Sequence, residues 1–305
     1  MFIENLLAAG VELAGPLLIA ALGELYAERT GVLNIGMEGM MLAGAWGGFV
    51  TTYFTGNLWL GLVGAVLIGA LFGLLNGILA ITMKVNQVVS GIAINILLSG
   101  LTMYLYRVIF GVPLLPVTIK SFPKFSLPVL GNLPVLGKIF FQHNMIVYIA
   151  FLMVPAAYFI LYKTSFGLTL RSAGEKPEVV DTAGLNVTHI RYTGMIIGGA
   201  TAGLSGAFYS MAHLNIFANN IISGRGFIAF AAVIFGCWNP LGILLATLIF
   251  GIADALSTRF LTSGIQVIPY EFSLMIPYII TIFATLVFSR KSISPASLGT
   301  PYQKE

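Results

Sequence analysis

Apolar runs of roughly 18 to 25 residues, each long enough to cross a hydrocarbon core as a helix, recur along the whole chain. Their spacing predicts nine spans: Leu6–Ala27, Val32–Thr55, Leu58–Met83, Val88–Phe110, Met145–Tyr162, Tyr192–His213, Gly226–Trp238, Leu241–Ser257 and Phe272–Ser289. The seventh is short. Breaks fall at Thr30-Gly31, Gly56-Asn57, Asn86, the Pro-rich Pro113–Gly137 stretch and Asn239-Pro240, all with ordinary turn chemistry. One long polar, mixed-charge stretch interrupts the pattern, SFGLTLRSAGEKPEVVDTAGLNVTHIRY from Ser165 to Tyr192. A membrane chain that keeps such a loop presents it to a soluble partner.

Composition agrees with this reading. Of 305 residues, 58% are hydrophobic and 9% charged, and the mean hydropathy of +0.95 excludes a soluble domain of this size. The expectation is an all-α polytopic membrane protein with about nine transmembrane helices (8–10) in one membrane domain over residues 1–305. The formal charge of +4 is the small Lys and Arg excess that membrane topology demands. With the polar loop inside, the positive-inside rule gives an N-out, C-in arrangement, with Arg29, Lys84, Lys163, Arg171, Lys176 and Arg191 inside. The N-terminus lacks a basic n-region and a small-residue cleavage site, so the first run reads as a retained helix. Cys237 is the single cysteine, which excludes an intrachain disulfide.

An internal repeat is visible. Phe72-Gly73-Leu74-Leu75-Asn76 on span three matches Phe250-Gly251-Ile252-Ala253-Asp254 on span eight, and Asn86-Gln87-Val88-Val89 echoes Ile265-Gln266-Val267-Ile268. Because five spans separate the matched helices, the halves cross the bilayer in opposite senses. That is two inverted-topology repeats, about 6–110 and 192–289, joined by a linker helix at 145–162 and the polar loop at 163–191. Gly69, Gly73 and Gly77 on span three, and Gly194, Gly198, Ala202 and Gly206 on span six, form small-residue faces for close packing.

Polar residues inside apolar spans carry the candidate chemistry. Glu38 stands about two turns inside span two, with Asn34 one turn before it on the same face. Two readings stay open: the pair lines a polar path, or Glu38 bonds a neighbouring helix and fixes packing. Asn86, Gln87, Ser90 and Asn95 form a second cluster at the start of span four, whose neutral donors and acceptors suit a hydroxylated or heterocyclic solute. Glu24 and Asp254 are further buried acids, and Asp254 with Arg259 reads as a structural ion pair. His143, His189 and His213 are scattered without metal-site spacing. The one Gly-Lys pair, Gly137-Lys138, precedes Ile139, so there is no phosphate-binding G-x-x-x-x-G-K-[ST] loop, and the chain does not hydrolyse ATP by itself. Dispersed basic residues give no nucleic-acid patch.

Three segments, GVLNIGMEGMM at Gly31–Met41, NQVVSGIAINIL at Asn86–Leu97 and LRSAGEKPEVVDTAGLNV at Leu170–Val187, resemble the permeases of bacterial ABC importers for branched-chain amino acids, simple sugars and nucleosides. They are most similar to the nucleoside, guanosine-type branch. The resemblance implies a multi-pass protein of the bacterial cytoplasmic membrane. It also implies a second, longer related permease as heterodimer partner, an ATPase on the cytoplasmic side and an extracytoplasmic substrate-binding lipoprotein. No cofactor belongs to this chain on that reading; ATP and Mg are held by the partner ATPase. Arg171, Gly174, Glu175, Pro177, Ala183 and Gly184 match the family's coupling segment. Pro177 suits the first turn of a short helix, Glu175 and Glu178 its positive N-terminal end, and Gly184 its stop. The substrate path is then bordered by Asn34, Glu38, Asn86, Gln87, Ser90 and Asn95. The alternatives are a permease for simple sugars or branched-chain amino acids, or a self-contained secondary transporter or channel, which buried acids and inverted repeats also suit.

Overall fold

The computed structural model describes residues 2–126, 128, 131, 133–262, 275, 279–280, 282–283 and 293–303. The ninth expected span and the Gln266 echo fall almost wholly outside the described residues. Helices stand at the other eight positions: α1 (Phe2–Arg29), α2 (Met37–Thr55), α3 (Leu58–Gly77), α4 (Gln87–Phe110), α6 (Met145–Lys163), α9 (Val187–Phe208), α10 (Arg225–Phe235) and α11 (Pro240–Thr262), with a short α5 (Leu136–Phe140) before α6. Five of the described helices are long and apolar enough to cross a membrane: α1, α3 with its terminal turn, α4, α6 and α11. The Pro-rich loop carries a small antiparallel pair, β1 (Lys124–Ser126) and β2 (Gln142–Asn144), the one departure from all-helical structure among the described strands and helices.

Asparagine explains where several helices begin. A short side-chain carbonyl can accept the orphan amides of a first turn. Asn57 does this for α3 at Trp59 (2.9 Å), Asn86 for α4 at Val88 (2.9 Å), Asn144 for α6 at Val147 (3.2 Å) and Asn186 for α9 at His189 (3.1 Å). The first three stand where the apolar runs begin, whereas Asn186 lies within the polar stretch, so α9 starts five residues before the expected Tyr192.

Helices α1 and α9 form the centre of the bundle. Lipid tails are as apolar as leucine, so close backbone approach rather than water exclusion holds such helices together. A Cβ built on Gly69 of α3 would lie 2.2 Å from the Gly199 carbonyl of α9, and one on Gly73 would lie 2.6 Å from the Met195 carbonyl. The α9 face against α3 is therefore Met195, Gly199 and Gly203. The face expected from sequence serves other neighbours: Gly194 and Gly198 meet α1, and Gly206 meets Met41 of α2. Both α3 and α9 continue into a wider π turn, Ile78–Thr82 and Tyr209–His213.

Expectations for span two and for the polar stretch change as well. Span two does not begin at Val32: residues 30–36 are not helical, and α2 starts at Met37. Asn34 therefore sits on an irregular segment, not one turn before Glu38 on a helix face, and Glu38 lies in the first turn of α2. In the polar stretch two helices stand where one was expected, α7 (Ser165–Glu175) and α8 (Pro177–Thr182). Proline has no amide hydrogen and disfavours a helical residue before it, so the break falls at Lys176, whose φ is −144° and ψ 83°. Glu175 thus ends α7 and does not head a coupling helix.

Candidate functional site

At the end of α1 the chain turns at Gly31, with φ +88°, and enters the irregular segment 32–36 inside the bundle. Backbone amides and carbonyls without helical partners are costly away from water, so side chains must satisfy them. The Leu33 amide donates to Gln87 Oε1 at 2.7 Å, and the Asn34 amide donates to Glu24 Oε1 at 3.1 Å. The Gly39 amide donates to Asn95 Oδ1 at 2.8 Å, and Asn95 Nδ2 donates to the Ile35 carbonyl at 3.0 Å. Asn76 Nδ2 donates to Asn34 Oδ1 at 3.0 Å. Four polar side chains from α1, α3 and α4 thus pin one broken stretch.

Glu38 holds the other side of the break. Its carboxylate accepts the amide of Gly224 at 2.8 Å and that of Gly226 at 2.7 Å, at the start of α10. α10 has 11 residues and reaches about 16 Å, about half the thickness of a hydrocarbon core. The first turns of two helices, each with exposed amides and a partial positive charge, converge on one carboxylate. Next to it, Arg225 Nε donates to Asp254 Oδ2 at 3.0 Å, and the guanidinium lies 5.2 Å from the Tyr209 ring centroid. Asp254 is therefore clipped to the start of α10, and the expected Asp254–Arg259 pair is replaced by this one. Where α10 ends, Trp238 Nε1 donates to Glu28, while Arg29 Nη2 donates to the Trp238 carbonyl at 2.7 Å.

Of the expected path residues, Asn34, Glu38, Gln87 and Asn95 come together on segment 33–39. Ser90 is buried and donates to the Gln87 carbonyl of its own helix at 3.1 Å, while Asn86 is exposed and caps α4. Gly224, Gly226, Asn76 and Arg225 were not anticipated. The glycines act through their backbones and leave no side-chain signal, although Gly224-x-Gly226 before a run too short to span was a visible hint. Among the described residues no group of three or more His, Cys, Asp or Glu could hold a metal ion.

The polar loop packs under the same end of α1. The Arg171 guanidinium lies 4.9 Å from the Tyr162 ring centroid, and a Cβ on Gly174 would lie 2.3 Å from the Arg29 carbonyl. Pro177 opens α8, Ala183 follows its last turn, and Gly184 is left-handed with φ +82°. The Gly184 amide donates to Asp181 at 2.9 Å and the Leu185 amide to Val180 at 3.1 Å, the paired bonds of a Schellman stop.

Comparison with known proteins fits this architecture. The chain is 42% identical over 301 residues to the guanosine ABC transporter permease protein NupQ of Bacillus subtilis (strain 168), covering 95% of this chain and 94% of the relative. It is 36% identical to the nucleoside ABC transporter permease protein NupC of Lactococcus lactis subsp. cremoris, covering 95% and 93%. It is also 42% identical to the putative glucose ABC transporter permease protein TsgC13 of Haloferax volcanii, covering 85% and 78%. No solved structure matches the chain. The apolar helices and the family together make this a multi-pass protein of the bacterial cytoplasmic membrane. Residues 6–285 match the branched-chain amino acid transport system / permease component, and the chain belongs to that family.

Proposed function

We propose that the chain is the membrane subunit of an ATP-binding cassette importer for nucleosides. The observation that carries this is the similarity over nearly the full chain to guanosine and nucleoside permeases. The uncharged side chains that pin segment 33–39 agree with it, because they brace a broken stretch without placing a ring of charge there. As a permease component the chain is a transport subunit and not an enzyme. Hydrolysis, with its ATP and Mg, belongs to a partner ATPase. The other partners are a second related permease and an extracytoplasmic binding lipoprotein.

The membrane domain is read as about nine spans in two inverted repeats. Packing supports this: α3 lies along α9 as α11 lies along α1, and the matched glycines Gly73 and Gly251 sit at those two contacts. Two polar clips support it as well, Asn76 to Asn34 in one half and Asp254 to Arg225 in the other. Asn34, Glu38, Asn86, Gln87, Ser90 and Asn95 shape the substrate path from behind. Arg171, Gly174, Glu175, Pro177, Ala183 and Gly184 build the element that docks the ATPase.

A second reading, a simple-sugar importer, is favoured by the Haloferax relative. Uptake of labelled guanosine by the reconstituted complex, with purine and pyrimidine nucleosides, glucose, ribose and leucine competing, separates the two. The nucleoside reading expects ATP-dependent uptake that only nucleosides suppress. Absence of guanosine uptake beside ATP-dependent uptake of labelled glucose or ribose would establish the second reading, and uptake indifferent to the ATPase would reveal a self-contained transporter.

A further inference from the structure

The segment 293–303 lies against the polar loop, and its contacts are made largely by backbone. Ser297 donates twice to the Gly174 carbonyl, from its amide at 2.9 Å and its hydroxyl at 2.6 Å. Two residues on, the Gly299 amide donates to the Gly31 carbonyl at 3.1 Å. Arg191, at the base of α9 and only 2% exposed, donates from Nη1 to the Thr300 carbonyl at 2.9 Å. Tyr302 packs on the cluster of Ala173, Val180 and Val187, which joins α7, α8 and α9. One short stretch therefore touches the end of α7, the turn that opens the broken segment, and the base of α9.

We propose that Ala296–Tyr302 is a strap that positions α7 and α8 against Gly31 and so links the coupling helices to the broken segment that ends at Glu38. The route is continuous. From Gly174 it passes through Ser297 and Gly299 to Gly31, and from there Leu33 and Asn34 are fixed by Gln87 and Glu24 before Glu38 meets α10. A Cβ at Gly31 would lie 2.7 Å from Ser297 Oγ and 3.1 Å from Arg191 Nη2, so the strap fills the space around that turn without slack. Packed elements without slack move as a unit, which is what transmission between two sites requires. Ser297, Gly299 and Arg191 are positioning residues, which act through the contacts this stretch makes with Gly174, Gly31 and α9.

This inference rests on the importer reading, and its test keeps the two apart. Gly299 has φ +78° with open space around a built Cβ, so Gly299→Val disturbs the turn through the backbone alone. Ser297→Ala is the milder variant, losing the hydroxyl bond and keeping the amide bond. In the reconstituted complex, ATP hydrolysed per solute imported should rise about threefold or more in Gly299→Val and less in Ser297→Ala. The amount of assembled complex and the basal hydrolysis should stay near wild type. An unchanged ratio beside an active wild type, with only complex yield or thermal midpoint reduced, would show that the strap is merely structural. A wild-type complex without ATP-driven uptake would overturn the importer reading and the strap's role with it.

Discussion

Glu38 shows how much one buried carboxylate can organise. It receives the amides of Gly224 and Gly226 while sitting in the first turn of its own helix, so its charge is held between two helix starts. Removing it leaves two amides without partners. Each orphaned group costs about 1–3 kcal/mol, so Glu38→Ala should lower the thermal midpoint of the purified complex more than Glu38→Gln, which keeps one acceptor. If the break also shapes the path, Glu38→Gln should reduce uptake per assembled complex; loss of uptake in proportion to loss of folded complex would make Glu38 a packing residue only. The cost of polar groups in an apolar span made Asn34, Glu38, Gln87 and Asn95 legible from sequence. Their partners were not legible, because most are backbone groups of distant segments. Asp254 illustrates the limit: Arg259 is five residues away in sequence, yet its partner is Arg225, which only the fold brings within 3.0 Å.

Elements were easier to read than their interruptions. The apolar pattern placed eight helices, with breaks at Asn57 and Asn86 just before two of them, but hydropathy does not distinguish the irregular residues 32–36 from helix, so the expected start of α2 lies five residues early. In the polar loop the Gly184 stop was visible and the Lys176 break was not. Gly184 gives a graded prediction. It is left-handed, and nothing lies within 4 Å of a built Cβ, so any cost of substitution is conformational. Gly184→Val should cost about 1–2 kcal/mol and loosen the end of α8, whereas asparagine visits this region more readily. Lipoprotein-stimulated ATPase activity should therefore fall in the order glycine, asparagine, valine, with membrane insertion unchanged; equal activity in all three would mean that α8 does not carry coupling. At the α3–α9 contact the cost is steric. A Cβ on Gly199 would lie 2.4 Å from the Gly69 carbonyl, so Gly199→Val must push the helices apart. Overpacking costs about 1–3 kcal/mol, and a matching drop in thermal midpoint should accompany it.

Across the molecule, two polar clips each tie one helix to the residues at or just before the start of another. Asn76 of α3 holds Asn34 ahead of α2, and Asp254 of α11 holds Arg225 at the start of α10. On the proposed inverted-repeat reading, each tie holds a broken end to its own half while the Glu38 contact joins the two. The ionic clip can be tested by a cycle of substitutions. Its side chains are 21% and 16% exposed, so the pair is partly desolvated and neither partner tolerates losing the other. Arg225→Met leaves Asp254 without that cation, and the cost, discounted for partial exposure, is about 1–3 kcal/mol. Adding Asp254→Leu removes the stranded charge, so the double variant should recover most of the lost thermal stability. Recovery of stability without recovery of uptake is the expected outcome, because an apolar pair packs without fixing the angle at which α10 meets Glu38. If the double variant regains transport in full, the clip serves folding alone and the start of α10 is positioned by Glu38.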